Sequence, residues 1–114
     1  MSISKSLINR TREVVICENI EEAKTHKEKS HGLIKSDGKT ALFFKTRWGI
    51  HTFGMAFSID IAILDKKMKV VKYKRNLKPS RILFWNLRFN KVIEIPTILL
   101  QEEMIKIGDE LCIS

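Results

Sequence analysis

From Phe53 to Leu64 the chain runs for twelve residues with a single charged side chain, Asp60, set among Ile59, Ile61, Ala62, Ile63 and Leu64. A membrane helix needs about 20 uninterrupted apolar residues, so this segment is too short to span a bilayer. Its Phe and Ile content, with Gly54 inside and Ile50, His51 and Thr52 ahead of it, favours strands over a helix. The core must therefore be assembled from several short segments. At 114 residues the chain has the length of one domain, since a single core serves roughly 100–150 residues. Its 44% hydrophobic and 30% charged composition, with five Gly and two Pro, excludes a disordered tail or linker. No apolar leader with a small-residue cleavage site follows Met1, and the expected setting is soluble and cytoplasmic.

Elsewhere the pattern is also strand-like. Residues 1–13 show no firm period and read as a loosely ordered lead-in to a single domain over 14–114. Val14–Cys17 is a short β-rich run. Asn19, with Glu22 three residues on, predicts a helix start with a capping-box carboxylate, and Gly32 after a run of cations predicts its stop. Ala41–Phe44 reads as a buried strand, Ile50–Met55 and Ile59–Leu64 as two more, and Asp65–Met68 as a hairpin turn leading into Lys69–Lys74. Leu83, Trp85, Leu87 and Phe89 alternate with period two, Val92–Ile95 continues as a strand to Pro96, and Leu111–Ile113 is a terminal strand. Between Thr97 and Ile107 one or two helical turns are expected. The predicted class is α+β, mainly antiparallel β: a compact curled sheet or partly open barrel with one or two short helices.

Lys and Arg number 21 against 13 Asp and Glu, a net charge of +8. Ten of those cations lie between Lys66 and Lys91, where no acid occurs, so this stretch supplies all of the excess. The stretch makes an anionic partner worth testing: nucleic acid, an acidic protein or a lipid surface. The candidate contacts are Lys67, Lys69, Lys72, Lys74, Arg75, Lys78 and Arg81. Tyr73, Phe84, Trp85 and Phe89 are interleaved with them, as in single-strand binders, although alternation also suits Trp85 and Phe89 to a core. A solvated, edge-protecting face is the plainer reading of the same charges.

Familiar catalytic and metal signatures are missing. His26, His31, His51, Cys17 and Cys112 are not at metal-ligand spacing, so no metal is assigned and no cofactor is implied. No nucleophile elbow or phosphate-cradling glycine loop occurs. Cys17 and Cys112, each with strand-like neighbours, are expected to be buried, reduced thiols. The unusual constellation is His51-Thr52-Phe53-Gly54-Met55 followed by Asp60. A His heading an apolar strand and an Asp interrupting another both demand hydrogen-bond partners, which predicts either a satisfied structural network or a ligand pocket. Spacing further predicts that His51 and Asp60 belong to one polar cluster.

These residues also carry a resemblance. His31-Gly32-Leu33-Ile34, His51-Thr52-Phe53-Gly54-Met55, Ile59-Asp60 with Asp65, Lys78-Pro79, Glu94-Ile95-Pro96 and Gly108-Asp109-Glu110-Leu111 look like successive motifs of the domain of unknown function 192 family. The resemblance covers residues 14–114 and implies a small, β-rich, barrel-like single domain whose biochemical role is not established. It makes His51, Met55, Asp60 and Glu94 motif positions, and departs from the family pattern at Ser58 (usually Pro) and Ile98 (usually Gly). With Thr52, those four residues form the candidate pocket or polar cluster. The expected function is a non-enzymatic binding or accessory domain. A basic nucleic-acid-binding module is the alternative, and a small enzyme using His51 and Asp60 stands third.

Overall fold

The computed structural model describes residues 5–23, 38–47, 49–100 and 103–114. Among them are the strands β1 (Lys5–Asn9), β2 (Val14–Glu22), β3 (Ala41–Lys45), β4 (Ile50–His51), β5 (Ile59–Leu64), β6 (Val70–Leu77), β7 (Ile82–Leu83), β8 (Lys91–Pro96) and β9 (Leu111–Ile113), with a 3-10 turn at Thr97–Leu99. Seven strands form one sheet in the order β6-β5-β8-β3-β2-β1-β9, while β4 and β7 pair separately as a two-stranded flap. All pairings are antiparallel except β2 with β3.

The sheet curls until its two edge strands meet at one end. Lys69 bridges Glu110, Val70 donates its N–H to the Asp109 carbonyl, and Leu111 donates to the Met68 carbonyl. The result is a partly open barrel. Leu7, Ile16, Phe43, Ala62, Leu64, Ile93, Ile95 and Leu111 fill its interior with Leu100 and Ile105. A second cluster lies on the outer face of β3, β5 and β8: Leu42, Phe44, Ile59, Ile61, Ile63 and Val92, covered by Ile50, Met55 and Leu77, with Leu83, Trp85 and Phe89 packed against them. β5 is thus buried on both faces, which is why its sequence is an apolar run broken only by Asp60 rather than an alternation.

The α component of the predicted class is overturned: the 3-10 turn is the one helical element among the described residues. Asn19–Glu22 does not start a helix but remains in β2, where Ile20 pairs with Lys5 on one side and Ala41 on the other. A local cap is worth about 1 kcal/mol, and burial of Ile16, Cys17 and Ile20 between two neighbours outweighs it. The remainder of that predicted helix, with His26, His31 and Gly32, lies outside the described residues. The lead-in reading of residues 1–13 also gives way, because Lys5–Asn9 is β1, joined to both β2 and β9.

Two further readings shorten. Of the alternating segment Leu83–Phe89 only Leu83 pairs, within β7 and with Ile50 of β4, and of the predicted Ile50–Met55 strand only Ile50–His51 does. After Leu83 the chain peels away through a turn closed by the Phe89 N–H on the Asn86 carbonyl and the Trp85 indole N–H on the Phe89 carbonyl. Ile98, where the family pattern has Gly, sits highly exposed in the 3-10 turn without positive φ, so no glycine is needed there. Cys17 and Cys112 are both free. They pair with Leu7 and Ile8 respectively, adjacent positions of β1, and so lie on opposite faces two strands apart.

Candidate functional site

Cross-strand partners in a sheet share a face. Glu94 of β8 pairs with Leu42 of β3 and Ile61 of β5, so its side chain emerges on the outer face, inside the second apolar cluster. The residue is 8% exposed. Among the described residues none donates a hydrogen bond to its carboxyl, and burial alone pushes its pKa up to about 8. No fully occluded side-chain nitrogen or oxygen among them lacks a partner, so the small accessible part of Glu94 includes its carboxyl oxygens. The arrangement is an acid held neutral near pH 7 in an apolar wall, with its head reachable from outside.

Asp60 is the opposite case. It pairs with Ile95 and so faces the barrel interior, where it is completely buried and surrounded by donors. Oδ1 accepts from the Asn76 N–H at 2.9 Å and the Thr97 hydroxyl at 2.8 Å; Oδ2 accepts from the Tyr73 hydroxyl and, at 3.3 Å, from Arg75 Nε. Asn76 has φ 53° and belongs to a register shift in β6 opposite Asp60. The carboxylate therefore holds a β-bulge and the start of the 3-10 turn together. Burial, with the hydrogen bond to Asp60, raises the Tyr73 pKa and keeps the phenol protonated.

His51 and Asp60 are not brought together. His51 lies exposed on β4, its Nδ1 accepts from the Phe53 N–H at 3.3 Å, and its ring stacks on Phe53. The predicted cluster fails because β4 is only two residues long and belongs to the flap, not to the sheet that carries Asp60. The enzyme reading loses its two-residue centre with it. Thr52, fully buried, is a clamp: its hydroxyl donates to the Lys78 carbonyl at 2.7 Å and accepts from the Arg81 N–H at 2.9 Å, fixing the loop that carries Ser80 at φ 63°. Met55 is buried in the outer cluster that also surrounds Glu94.

All seven candidate cations, Lys67, Lys69, Lys72, Lys74, Arg75, Lys78 and Arg81, are exposed. Lys67 and Lys69 sit at the β5–β6 turn, Lys72, Lys74 and Arg75 along the edge strand β6, and Lys78 and Arg81 at the base of the flap. Asp65 organises that turn, accepting from the N–H groups of Lys69 and Lys67, and these bonds hold its carboxyl below the usual range.

A further polar network escaped the sequence reading. Asp109 accepts from Asn9 Nδ2 at 2.8 Å, Arg12 Nε at 2.9 Å and the Lys106 N–H at 2.9 Å, while Asn9 also donates to the Met104 carbonyl. Burial pushes the Asp109 carboxyl up, but these bonds prevail and hold it below its ordinary value. The network ties the β1–β2 turn to the turn before β9. Its signal was the Gly108-Asp109 turn, but Asn9 and Arg12 lay in the segment read as a loosely ordered lead-in.

Among the described residues no group of three His, Cys, Asp or Glu side chains is placed to hold a metal, and no helix is long and apolar enough to cross a membrane.

Two solved structures share the fold. One, a proposed transcription regulator from Sinorhizobium meliloti, aligns with a TM-score of 0.72 at 14% identity, covering 99% of this chain and 98% of that one. The other, a protein of unknown function from Novosphingobium aromaticivorans, gives 0.76 at 18% identity, covering 96% and 84%. No curated protein matches the sequence. The profile of the uncharacterized ACR family, domain of unknown function 192, matches residues 7–113, and the chain belongs to that family.

Proposed function

We propose that the protein is a non-catalytic ligand-binding domain whose site is built on Glu94, and that its ligand is a small organic molecule with an apolar body and a cationic, hydrogen-bond-donating head. The observation that carries this reading is that Glu94, 8% exposed as a residue, has a carboxyl that receives no donor from the described residues. Asp60, completely buried, shows how this chain satisfies a structural carboxylate, with four donors. Glu94 has a hydrocarbon wall instead, formed by Leu42, Ile61, Val92 and Met55. An ammonium head would supply the missing donor, displace the carboxyl proton and leave a paired ion in place of a neutral acid. The wall would take the apolar body. Contact pairing at a few ångströms outweighs the screened repulsion of the distant surface cations.

Carbon-detected NMR of glutamate-labelled protein, titrated with hexylammonium, hexanol and hexanoate, tests the reading. Hexylammonium is expected to shift the Glu94 carboxyl signal and lower its pKa, and Glu94→Gln to abolish the response. Indifference of Glu94 to hexylammonium, or an equal response to hexanoate, overturns it.

A further inference from the structure

We infer that the outer face of the β4–β7 flap is a docking surface for an anionic lipid bilayer. Strand alternation divides the flap into two faces. Ile50 and Leu83 are paired and point inward to the outer cluster, whereas His51 and Ile82 are paired and point away from it. Phe84, two residues beyond Ile82, is 66% exposed, and Phe53, stacked on His51 with ring centroids 5.2 Å apart, extends the same surface. Leu87 projects from the next turn, and it, Ile82 and Phe53 are each about half exposed. A monomeric domain this small seldom shows so many large apolar side chains on one unit without a partner for them.

Charge identifies the partner. Lys72 reaches the flap, its ammonium donating to the Phe84 carbonyl at 3.3 Å. Arg81 precedes Ile82, Arg88 follows Leu87 with its guanidinium over the Phe89 ring, and Lys78 lies at the base of the flap. From residue 38 to residue 91 the acids are Asp60, which is buried, and Asp65, in the β5–β6 turn, so the flap and the segments flanking it carry no exposed carboxylate of their own beyond that turn. Apolar side chains projecting between cations match an interface of acyl chains beneath anionic headgroups. Phe53 and Phe84 offer ring faces, but Ile82 and Leu87 do not, and this aliphatic half of the surface favours acyl chains over a single-strand nucleic-acid platform. Glu94 is not among these residues, so vesicle binding by the flap and ligand binding at Glu94 are separable.

Sedimentation with sucrose-loaded vesicles tests it, using phosphatidylcholine alone or with about 30% phosphatidylglycerol, and a labelled oligothymidylate in parallel. The protein is expected to bind the anionic vesicles and not the neutral ones. Two double variants, Ile82→Ser with Leu87→Ser and Arg81→Gln with Arg88→Gln, change only exposed side chains and are each expected to weaken that binding roughly tenfold with unchanged thermal unfolding. No binding to anionic vesicles overturns the inference. So does unchanged vesicle binding by the Ile82→Ser, Leu87→Ser variant, which would leave charge alone at work. Tighter binding to oligothymidylate than to anionic vesicles overturns it as well and assigns the surface to nucleic acid.

Discussion

Asp60 and Glu94 stand on neighbouring strands one residue out of register, and their side chains leave the sheet on opposite faces: Asp60 is opposite Ile95, and Glu94 is opposite Ile61. The barrel interior offers Asp60 hydroxyl, amide and guanidinium donors, whereas the outer face offers Glu94 only hydrocarbon among the described residues. A one-residue offset thus separates a structural carboxylate from a chemically available one.

Glu94 makes stability fall with rising pH. Its folded pKa of about 8 lies above the ordinary value of 4.5, so between these values the folded state holds a proton that the unfolded state has released. Each unit of that difference is worth about 1.4 kcal/mol, lost progressively as pH rises from 4.5 through 8. Glu94→Gln removes the titration. Urea unfolding at a series of pH values should show the variant gaining on the parent as pH rises across that window, and parallel curves would show that Glu94 is not buried as an acid.

Asp60 acts on the fold, not on His51. Asp60→Ala leaves the Asn76 N–H, the Thr97 and Tyr73 hydroxyls and Arg75 without their acceptor and should cost about 3–5 kcal/mol in denaturant unfolding. The milder Asp60→Asn keeps one carbonyl acceptor and should cost less than Asp60→Ala in the same measurement, whereas equal losses would show that the negative charge itself carries the network.

Much of the strand framework was legible because two-sided burial and turn chemistry act locally. The run Ile59–Leu64, the Asp65–Met68 turn and the stop at Pro96 all appear in the expected places. What was not legible depends on partners distant in sequence. Asn19–Glu22 carries a sound helix-start pattern, but the tertiary pairing of Ile20 with Lys5 and Ala41 overrides it. Asp60 was visible as an anomaly, yet its donors come from β6 and Thr97, and no spacing argument could choose them over His51. Glu94 was visible only through the family resemblance, since a Glu between Ile93 and Ile95 reads as ordinary strand alternation until burial on both faces is known.

The cations of the β5–β6 hairpin are dispensable for folding. Lys67, Lys69 and Lys72 are exposed, and the turn itself is held by Asp65 and by the Met68 N–H on the Asp65 carbonyl. Replacing all three with Gln should change the unfolding free energy by no more than about 0.5 kcal/mol per site, because exposed substitutions rarely exceed that. A loss of several kcal/mol would show that their stems cover apolar surface.

Gly49 sets how closely the flap can lie against the chain that follows it. Its φ is +85°, and a Cβ there would stand 2.6 Å from the Leu83 carbonyl oxygen and 2.8 Å from the Phe84 ring. The first contact is with backbone of β7, which cannot move without breaking its pairing to Ile50. Gly49→Ala should therefore add the left-handed strain of a non-glycine residue, about 1–2 kcal/mol, to a displacement of the flap. The displacement is expected to be local. Hydrogen exchange should accelerate at the Thr52 and Arg81 amides, which hold the base of the flap, while the Val70 and Leu111 amides at the closed end of the barrel keep their protection. Unchanged exchange at Thr52 and Arg81 would mean that the flap accepts the methyl group without opening; equal acceleration at all four amides would mean that flap and barrel unfold as one unit.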